Sequence, residues 1–269
     1  DYDEQAGFYD SRAGIGKTIA QQVAKTIIGL TGTTKAANIL EIGCGTGEIG
    51  QFLSTTPNHY VGLDASERML DAFRQQVVES DPVNLIHADA NQAWPLSGFQ
   101  ADLVFSARAL HLLDLEHVLS EIKRHGSDQG FVCALGRVVR DPDGIADTMR
   151  RKMRKILEAK GIQRCSGKRN VQAFATQCMN NGADDLGTIE AASWPVIESP
   201  QTSLNNWAAK PGLAGNQLDQ PMQTAVLTEL QAWALQRYGA IDYTGKFTSR
   251  YVLRAFRFPP KEIIKDHDR

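Results

Sequence analysis

The sequence lacks the features that mark several special classes of protein. Only four of its 269 residues are cysteine, and no two of them form a Cys-x-x-Cys pair or a Cys/His group with zinc spacing. We therefore predict no metal site. We interpret Cys44 and Cys133, which lie in apolar segments, as small core residues of a protein from a reducing compartment.

Long apolar runs and a large net charge are lacking as well. No segment has the roughly 20 apolar residues of a membrane-spanning helix, and no signal-peptide core opens the printed sequence. The formal net charge of -2 disfavours a surface built broadly for nucleic acid, although a local basic patch is compatible with it. We expect a cytoplasmic globular protein without a membrane span, and nothing in the composition indicates an oligomeric state.

What the sequence does contain is a regular alternation of short apolar runs with amphipathic segments. Five runs have the length and composition of buried parallel strands, at 37–42, 60–66, 83–89, 101–107 and 130–136. This pattern predicts an α/β fold with a mostly parallel sheet and helices on both faces. Further along we predict helices at 144–160, 170–180 and 221–238, strands at 186–197 and 248–258, and a loop over 198–220.

The change of rhythm near residue 139 suggests how the chain is organised. We expect a lid and helix over 1–36, a core over 37–139, cap insertions with remaining core elements over 140–247, a last core strand over 248–258 and a tail over 259–269. The helix predicted at 144–160 is basic, but its apolar positions form an ordinary packing stripe. We interpret it as a solvated cap helix rather than a nucleic-acid surface.

Three glycines at alternate positions, Gly43, Gly45 and Gly47, directly follow the first predicted strand. A glycine turn between strand and helix lets the backbone approach a ligand closely. The spacing is G-x-G-x-G instead of the dinucleotide pattern G-x-G-x-x-G. Glu41, two residues before the turn, would repel a pyrophosphate but suits a ligand with an ammonium group.

Acidic residues also end the next two predicted strands. Asp64 can accept both hydroxyls of a ribose, and Asp89 can accept from an exocyclic amine beside the backbone N–H of Ala90. The alternatives are a helix cap for Asp64 and a simple turn for Asp89. Ser66 is itself a good cap, which favours a ligand role for Asp64.

The stretches "EIGCGTG", "GLDAS", "HADA" and "LVFSARALHLLD" together resemble, in order, the signature motifs of class I S-adenosylmethionine-dependent methyltransferases. The resemblance is to the group of small-molecule enzymes that includes the ubiquinone/menaquinone-biosynthesis type, and it covers about residues 9–135. It implies a Rossmann-like fold, S-adenosyl-L-methionine as cofactor and S-adenosyl-L-homocysteine as product.

The resemblance also implies roles for individual residues. The expected cofactor contacts are Gly43, Gly45 and Glu41 at the methionine part, Asp64 at the ribose, Ala65 and Met69 beside the adenine, Asp89 and Ala90 at its edge, Ser106 under the sulfonium or amino-acid part, and Arg12 at the carboxylate. Tyr9 would lie near the transferred methyl.

Three further residues are candidates for contacts with the substrate. His111 follows the fourth strand, where it is either a general base or a packed histidine. Arg108 in the same loop either orients an acidic substrate or is merely exposed. Trp207 either lines an aromatic pocket or fills the core of the cap.

We therefore predict methyl transfer to a small molecule through an oxygen, nitrogen or carbon nucleophile. Two alternatives are an RNA-directed methyltransferase and a non-catalytic protein that binds S-adenosylmethionine. Against the first, "SARALH" stands where nitrogen-directed nucleic-acid enzymes carry an Asn/Asp-Pro-Pro-aromatic stretch. Against a nucleotide-dependent oxidoreductase stand the glycine spacing and Glu41.

Overall fold

The structure, a computed structural model, describes residues 15–55, 57–77, 83–162, 168–210 and 212–261. The chain divides into two compact units. Unit 1 consists of residues 1–137, 168–192 and 251–269, and unit 2 consists of residues 138–167 and 193–250. The segment 168–192, which the sequence analysis placed among the cap insertions and remaining core elements, thus belongs with unit 1.

Strands and helices alternate along the first half of the described chain. The helices are α1 (Lys17–Gly29), α2 (Gly50–Leu53), α3 (Glu67–Arg74), α4 (Leu115–His125), α5 (Ile145–Ala159), α6 (Lys168–Asn180), α7 (Pro200–Ala208) and α8 (Gln220–Tyr238), with a 3₁₀ helix at Leu110–Leu112. The strands are β1 (Asn38–Ile42), β2 (His59–Asp64), β3 (Val83–His87), β4 (Leu103–Ala107), β5 (Phe131–Val139), β6 (Asp184–Glu198) and β7 (Gly245–Phe258).

The strands form one seven-stranded sheet in the order β3-β2-β1-β4-β5-β7-β6. β1 to β5 pair in parallel, with Ile42 opposite both Leu63 and Ser106. The chain proceeds outward from β1 on one side through β2 and β3, and on the other side through β4 and β5. Such a reversal opens a crevice at the carboxyl ends of the strands, which is where α/β sheets bind ligands.

The side chains of β1 point alternately to the two faces of the sheet, and both faces are packed. Leu40 and Ile42 belong to an apolar cluster that includes residues of α4 and α6, such as Ile122 and Phe174. Because successive side chains of a strand point to opposite faces, Glu41 lies on the other side of the sheet. This is why a carboxylate ends up buried directly below the glycine turn.

The predicted α/β class, the mostly parallel sheet and the positions of its first five strands are confirmed. Cys44 and Cys133 are buried free thiols, as expected. The predicted loop over 198–220 is wrong, because α7 begins there. Ser199 accepts a hydrogen bond from the amide of Thr202 at 3.0 Å and Pro200 occupies the first helical turn, which together start a helix.

Unit 2 has an apolar cluster of its own, built by α5, α7 and α8. The stripe predicted for the basic helix is confirmed, since Met149, Met153 and their apolar neighbours on α5 are buried. Gln223 of α8 is also buried, accepting from the amide of Gly212 at 2.9 Å and donating to the carbonyl of Lys210 at 2.8 Å. In the described part of the chain, no helix has both the length and the hydropathy to cross a membrane.

Candidate active site

The glycine turn after β1 is tied to the neighbouring strand and leaves no room for a side chain at Gly43 or Gly47. The amide of Gly43 donates to the carbonyl of Leu63 at 2.8 Å. Gly43, Gly45 and Gly47 all have positive φ, at 68°, 55° and 81°. A Cβ at Gly47 would lie 2.2 Å from the ring of Phe73. Both this contact and the positive φ disfavour any residue other than glycine at position 47.

Asp64, at the end of β2, is held by backbone donors on both of its carboxylate oxygens. The amide of Gly45 donates to Oδ2 at 2.7 Å, and the amide of Ser66 donates to Oδ1 at 2.9 Å. Burial raises the pKa of Asp64, and these two hydrogen bonds oppose the rise. The cap of α3 is Ser66, whose Oγ accepts from the amide of Met69 at 3.3 Å. Asp64 is therefore not the helix cap, and its carboxylate keeps acceptor capacity for a ligand hydroxyl.

Glu41 is a buried carboxyl group, only 3% exposed, below the same turn. The hydroxyl of Tyr60 donates to its Oε2 at 2.6 Å. Burial raises the pKa of Glu41 to about 8, the hydrogen bond from Tyr60 lowers it in part, and the charges of Asp64 and Glu48 add to the rise. A positively charged ligand group beside Glu41 would favour its ionised form.

These groups line one cavity of about 470 Å³, which lies within unit 1. A volume of this size falls in the range of small-molecule sites, roughly 300–1,000 Å³. The structure brings together on its wall most of the residues predicted for the site: Glu41, Gly43, Gly45, Asp64, Ala65, Met69, Asp89, Ala90 and Arg108.

The end of β3 contributes Asp89 and Ala90, together with Asn91, which the sequence analysis missed. Asp89 is exposed and its Oδ1 accepts from the amide of Asn91 at 2.9 Å. The side chain of Asn91 in turn accepts from the amide of Asp114 at 2.7 Å and donates to the carbonyl of Leu112 at 3.4 Å. Asn91 thereby joins the loop after β3 to the loop after β4 across one wall of the cavity.

A second missed residue, Glu48, forms an ion pair with Arg108 at the cavity wall, with 2.6 Å between Oε2 and Nη2. The other oxygen of Glu48 accepts a hydrogen bond from the amide of Ile15. Arg108 has a φ of 61°, a backbone conformation that costs a residue with a side chain on the order of 1 kcal/mol or more. The sequence offered one signal for this ion pair: an acid directly follows the third glycine, and an arginine follows the fourth strand.

The other predicted site residues either do not line the cavity or lie outside the residues that the structure describes. Ser106 is buried, and its Oγ donates to the carbonyl of Ile42 at 2.9 Å, which braces the base of the glycine turn. His111 is exposed in the 3₁₀ helix and is not a wall residue, although Leu112 next to it is one. Trp207 packs against the apolar cluster of unit 2. The predicted positions 9 and 12 lie outside the described residues.

Comparison with known proteins assigns a family to the part of the chain that carries this cavity. The family model described as "Methyltransferase domain" matches residues 39–130. Residues 39–130 therefore form a methyltransferase domain. The predicted methyltransferase class and cofactor are confirmed at the level of this domain, whereas the roles of its individual residues remain predictions.

Two curated relatives and one solved structure show how far the methyltransferase similarity extends. A malonyl-[acyl-carrier protein] O-methyltransferase of Ilyobacter polytropus is 32% identical over 108 residues, which cover 39% of this chain and 38% of that protein. An 18S rRNA (guanine-N(7))-methyltransferase of Bos taurus is 34% identical over 79 residues, covering 29% and 27%. The chain thus spans less than half the length of these relatives.

The structural match shows the fold alone. A proposed methyltransferase from Bacillus halodurans superposes with a TM-score of 0.56 at 13% identity, covering 88% of this chain and 98% of that one. The predicted Rossmann-like fold is thereby confirmed.

Proposed function

We propose that the protein transfers a methyl group from S-adenosylmethionine to a small-molecule acceptor. The observation that carries this proposal is the placement of Glu41, Asp64 and Asp89 at three strand ends around one cavity of the methyltransferase domain. Together with the ion pair of Glu48 and Arg108, the wall carries more acidic than basic side chains. That balance suits a ligand with positively charged groups.

The donors and acceptors present fit S-adenosylmethionine. Asp64 would accept from the ribose hydroxyls with the lone pairs that Gly45 and Ser66 leave over. Glu41 would attract the ammonium group from below the turn. Asp89 and Ala90 would bind the edge of the adenine. When bound, this cofactor supplies a methyl group already activated on a sulfonium.

The remaining work of the protein is binding, orientation and exclusion of water. Holding the acceptor atom in line with the methyl group converts an encounter between two molecules into a reaction within one complex. Ala107, Arg108 and Leu113 form the wall after β4, next to the predicted methionine end of the site. We propose that the acceptor enters there, with Arg108 as a polar contact.

A small acceptor is favoured over RNA because the cavity is lined by short loops within unit 1 and because the basic helix α5 has its apolar stripe buried. The relatives support both kinds of acceptor, since one is named for malonyl-[acyl-carrier protein] and the other for 18S rRNA. The acceptor class therefore needs a direct test.

The test is a methyl-transfer assay with S-adenosylmethionine labelled in its methyl group. The acceptors offered are a malonyl thioester, a hydroquinone, a primary amine and a ribosomal RNA fragment, and the readouts are labelled product and S-adenosylhomocysteine. We expect label on a small molecule and none with Asp64→Ala. Label on RNA alone would support the RNA-directed alternative. Binding of the cofactor without transfer to any acceptor would support a non-catalytic binding protein.

A further inference from the structure

Tyr251, in the β7 part of unit 1, carries a buried hydroxyl group. The residue is 3% exposed, and its hydroxyl has no hydrogen-bond partner among the described residues. Leaving such a group unpaired away from water destabilises a fold, so buried hydroxyls are nearly always paired. An unpaired one calls for a partner that the described residues do not supply.

The position of the hydroxyl is fixed by a glycine. A Cβ built on Gly136 would lie 2.3 Å from the Tyr251 oxygen, so the side chain reaches from β7 over β5 at this residue. Gly136 is opposite Ala107 in the β4–β5 register, and Ala107 is a wall residue of the cavity. The hydroxyl therefore lies over residue 136, the β5 neighbour of the wall residue Ala107 at the acceptor end of the proposed site, and the absence of a side chain at residue 136 makes room for it.

The surroundings keep this hydroxyl protonated. Burial raises the pKa of Tyr251, and the charges of Arg108, Glu41 and Glu48 reach it from the cavity. Arg108 lowers that pKa, while the two glutamates raise it. A protonated phenol sheltered from water is a ready hydrogen-bond donor, and such bonds often form only when the ligand is bound.

We infer that the Tyr251 hydroxyl positions the acceptor by donating a hydrogen bond to an oxygen atom of it. This inference rests on the proposed methyl transfer, and it narrows the acceptor to molecules with a carboxylate, carbonyl or hydroxyl oxygen near the reacting atom. In the transfer an electron pair of the acceptor atom would form the bond to the methyl group, the methyl–sulfur bond would break and the sulfur would keep its electron pair, and an acceptor atom that carries a proton would lose it to solvent. Tyr251 keeps its proton throughout.

The experiment compares Tyr251→Phe with the wild type in three measurements. Calorimetry with S-adenosylmethionine should give the same affinity within twofold. The urea unfolding midpoint should be unchanged or higher, because the variant removes an unpaired hydroxyl. With the acceptor that serves best in the labelled panel, kcat/KM should fall about tenfold, the scale of one lost hydrogen bond to a ligand.

Two matched variants separate the possible outcomes. Tyr243→Phe, at a half-exposed tyrosine of unit 2, should change none of the three measurements. Tyr60→Phe removes a hydroxyl that is paired with Glu41, so its unfolding midpoint should fall. An unchanged kcat/KM in Tyr251→Phe would overturn the inference, as would a lowered midpoint like that of Tyr60→Phe. If the wild type transfers no methyl group at all, the proposed function fails, and the unfolding midpoint still tests whether the hydroxyl is unpaired.

Discussion

The two units of the chain differ in charge and in how their sequence assembles them. Unit 1 has 17 basic and 23 acidic residues, whereas unit 2 has 12 basic and 8 acidic residues. The residues that line the cavity of unit 1 follow successive strand ends, within residues 41–113. The apolar cluster of unit 2 combines two segments, 138–167 and 193–250.

This difference explains why sequence motifs predict a ligand for unit 1 and none for unit 2. A turn that must approach a ligand needs glycine, and a strand end that binds a hydroxyl or an ammonium group needs an acid, so the chemistry fixes the residue types. A cluster of helices only needs apolar residues at helical spacing, which many sequences satisfy. Unit 1 is therefore interpretable from short motifs, while unit 2 shows only its packing.

The largest effect should follow a change at the glycine turn of unit 1. In Gly47→Ala the new methyl group would meet the ring of Phe73, which is fully buried, and the backbone would keep a φ of 81°. We expect a loss of roughly 3–5 kcal/mol in the free energy of unfolding, from overpacking and backbone strain together. Urea unfolding measures it.

Gly45→Ala is the matched control for the glycine turn. Its φ is 55°, but a Cβ there meets nothing within 4 Å, so only the backbone strain of about 1 kcal/mol remains. Equal losses in the two variants would show that the contact with Phe73 is not what restricts residue 47.

The next largest effect should follow a change in the core of unit 2, which tests whether cofactor binding depends on unit 1 alone. Leu230→Ala removes a fully buried side chain from α8 in the cluster of unit 2. We expect the free energy of unfolding to fall by about 3 kcal/mol, as for other leucine-to-alanine changes in a core. The affinity for S-adenosylmethionine should change less than threefold under conditions where the variant is folded, because the residues around the cavity belong to unit 1. Loss of cofactor affinity in the folded variant would contradict the separation of roles.

An effect that depends on pH, and is smaller per pH unit than the losses above, should come from Glu41. Because burial raises its pKa from 4.5 to about 8, the folded protein binds a proton that the unfolded chain has already lost. The stability of the wild type should therefore fall as the pH rises between about 4.5 and 8, by at most about 1.4 kcal/mol per pH unit from this group. Above pH 8 the contribution becomes constant.

Glu41→Gln should lack this component, since the amide does not titrate and still offers an oxygen to the hydroxyl of Tyr60. The difference in unfolding free energy between variant and wild type should grow from pH 5 to pH 8. Glu116→Gln, at an exposed position of α4, should show no comparable growth. A difference that stays constant over this range would mean that Glu41 is ionised in the folded protein.

Much of unit 1 could be predicted from the sequence because its features are local. The glycine spacing, the acids at the strand ends and the cap at Ser66 each involve residues a few positions apart. Features that join distant segments could not be predicted. The ion pair of Glu48 with Arg108 spans 60 residues, and the position of Tyr251 beside Gly136 depends on the strand order β5-β7-β6.

Helix α7 was missed for a different reason. Its sequence contains Pro200, two asparagines and a serine, which on composition suggest a loop. The proline occupies the first turn, where its missing N–H costs nothing, and Ser199 caps the helix end. Position within the helix, rather than residue type alone, decides the outcome.

The central claim is that the cavity of unit 1 binds S-adenosylmethionine through Asp64. The most direct measurement is calorimetric titration of the protein with S-adenosylmethionine, S-adenosylhomocysteine and NAD. Asp64→Ala serves as the variant and Asp71→Ala, at an exposed aspartate of α3, as the control. We predict binding of the first two ligands and not of NAD, weakened on the order of 100-fold by Asp64→Ala and unchanged by Asp71→Ala. Binding of NAD, or an affinity for S-adenosylmethionine that survives Asp64→Ala, would contradict the claim.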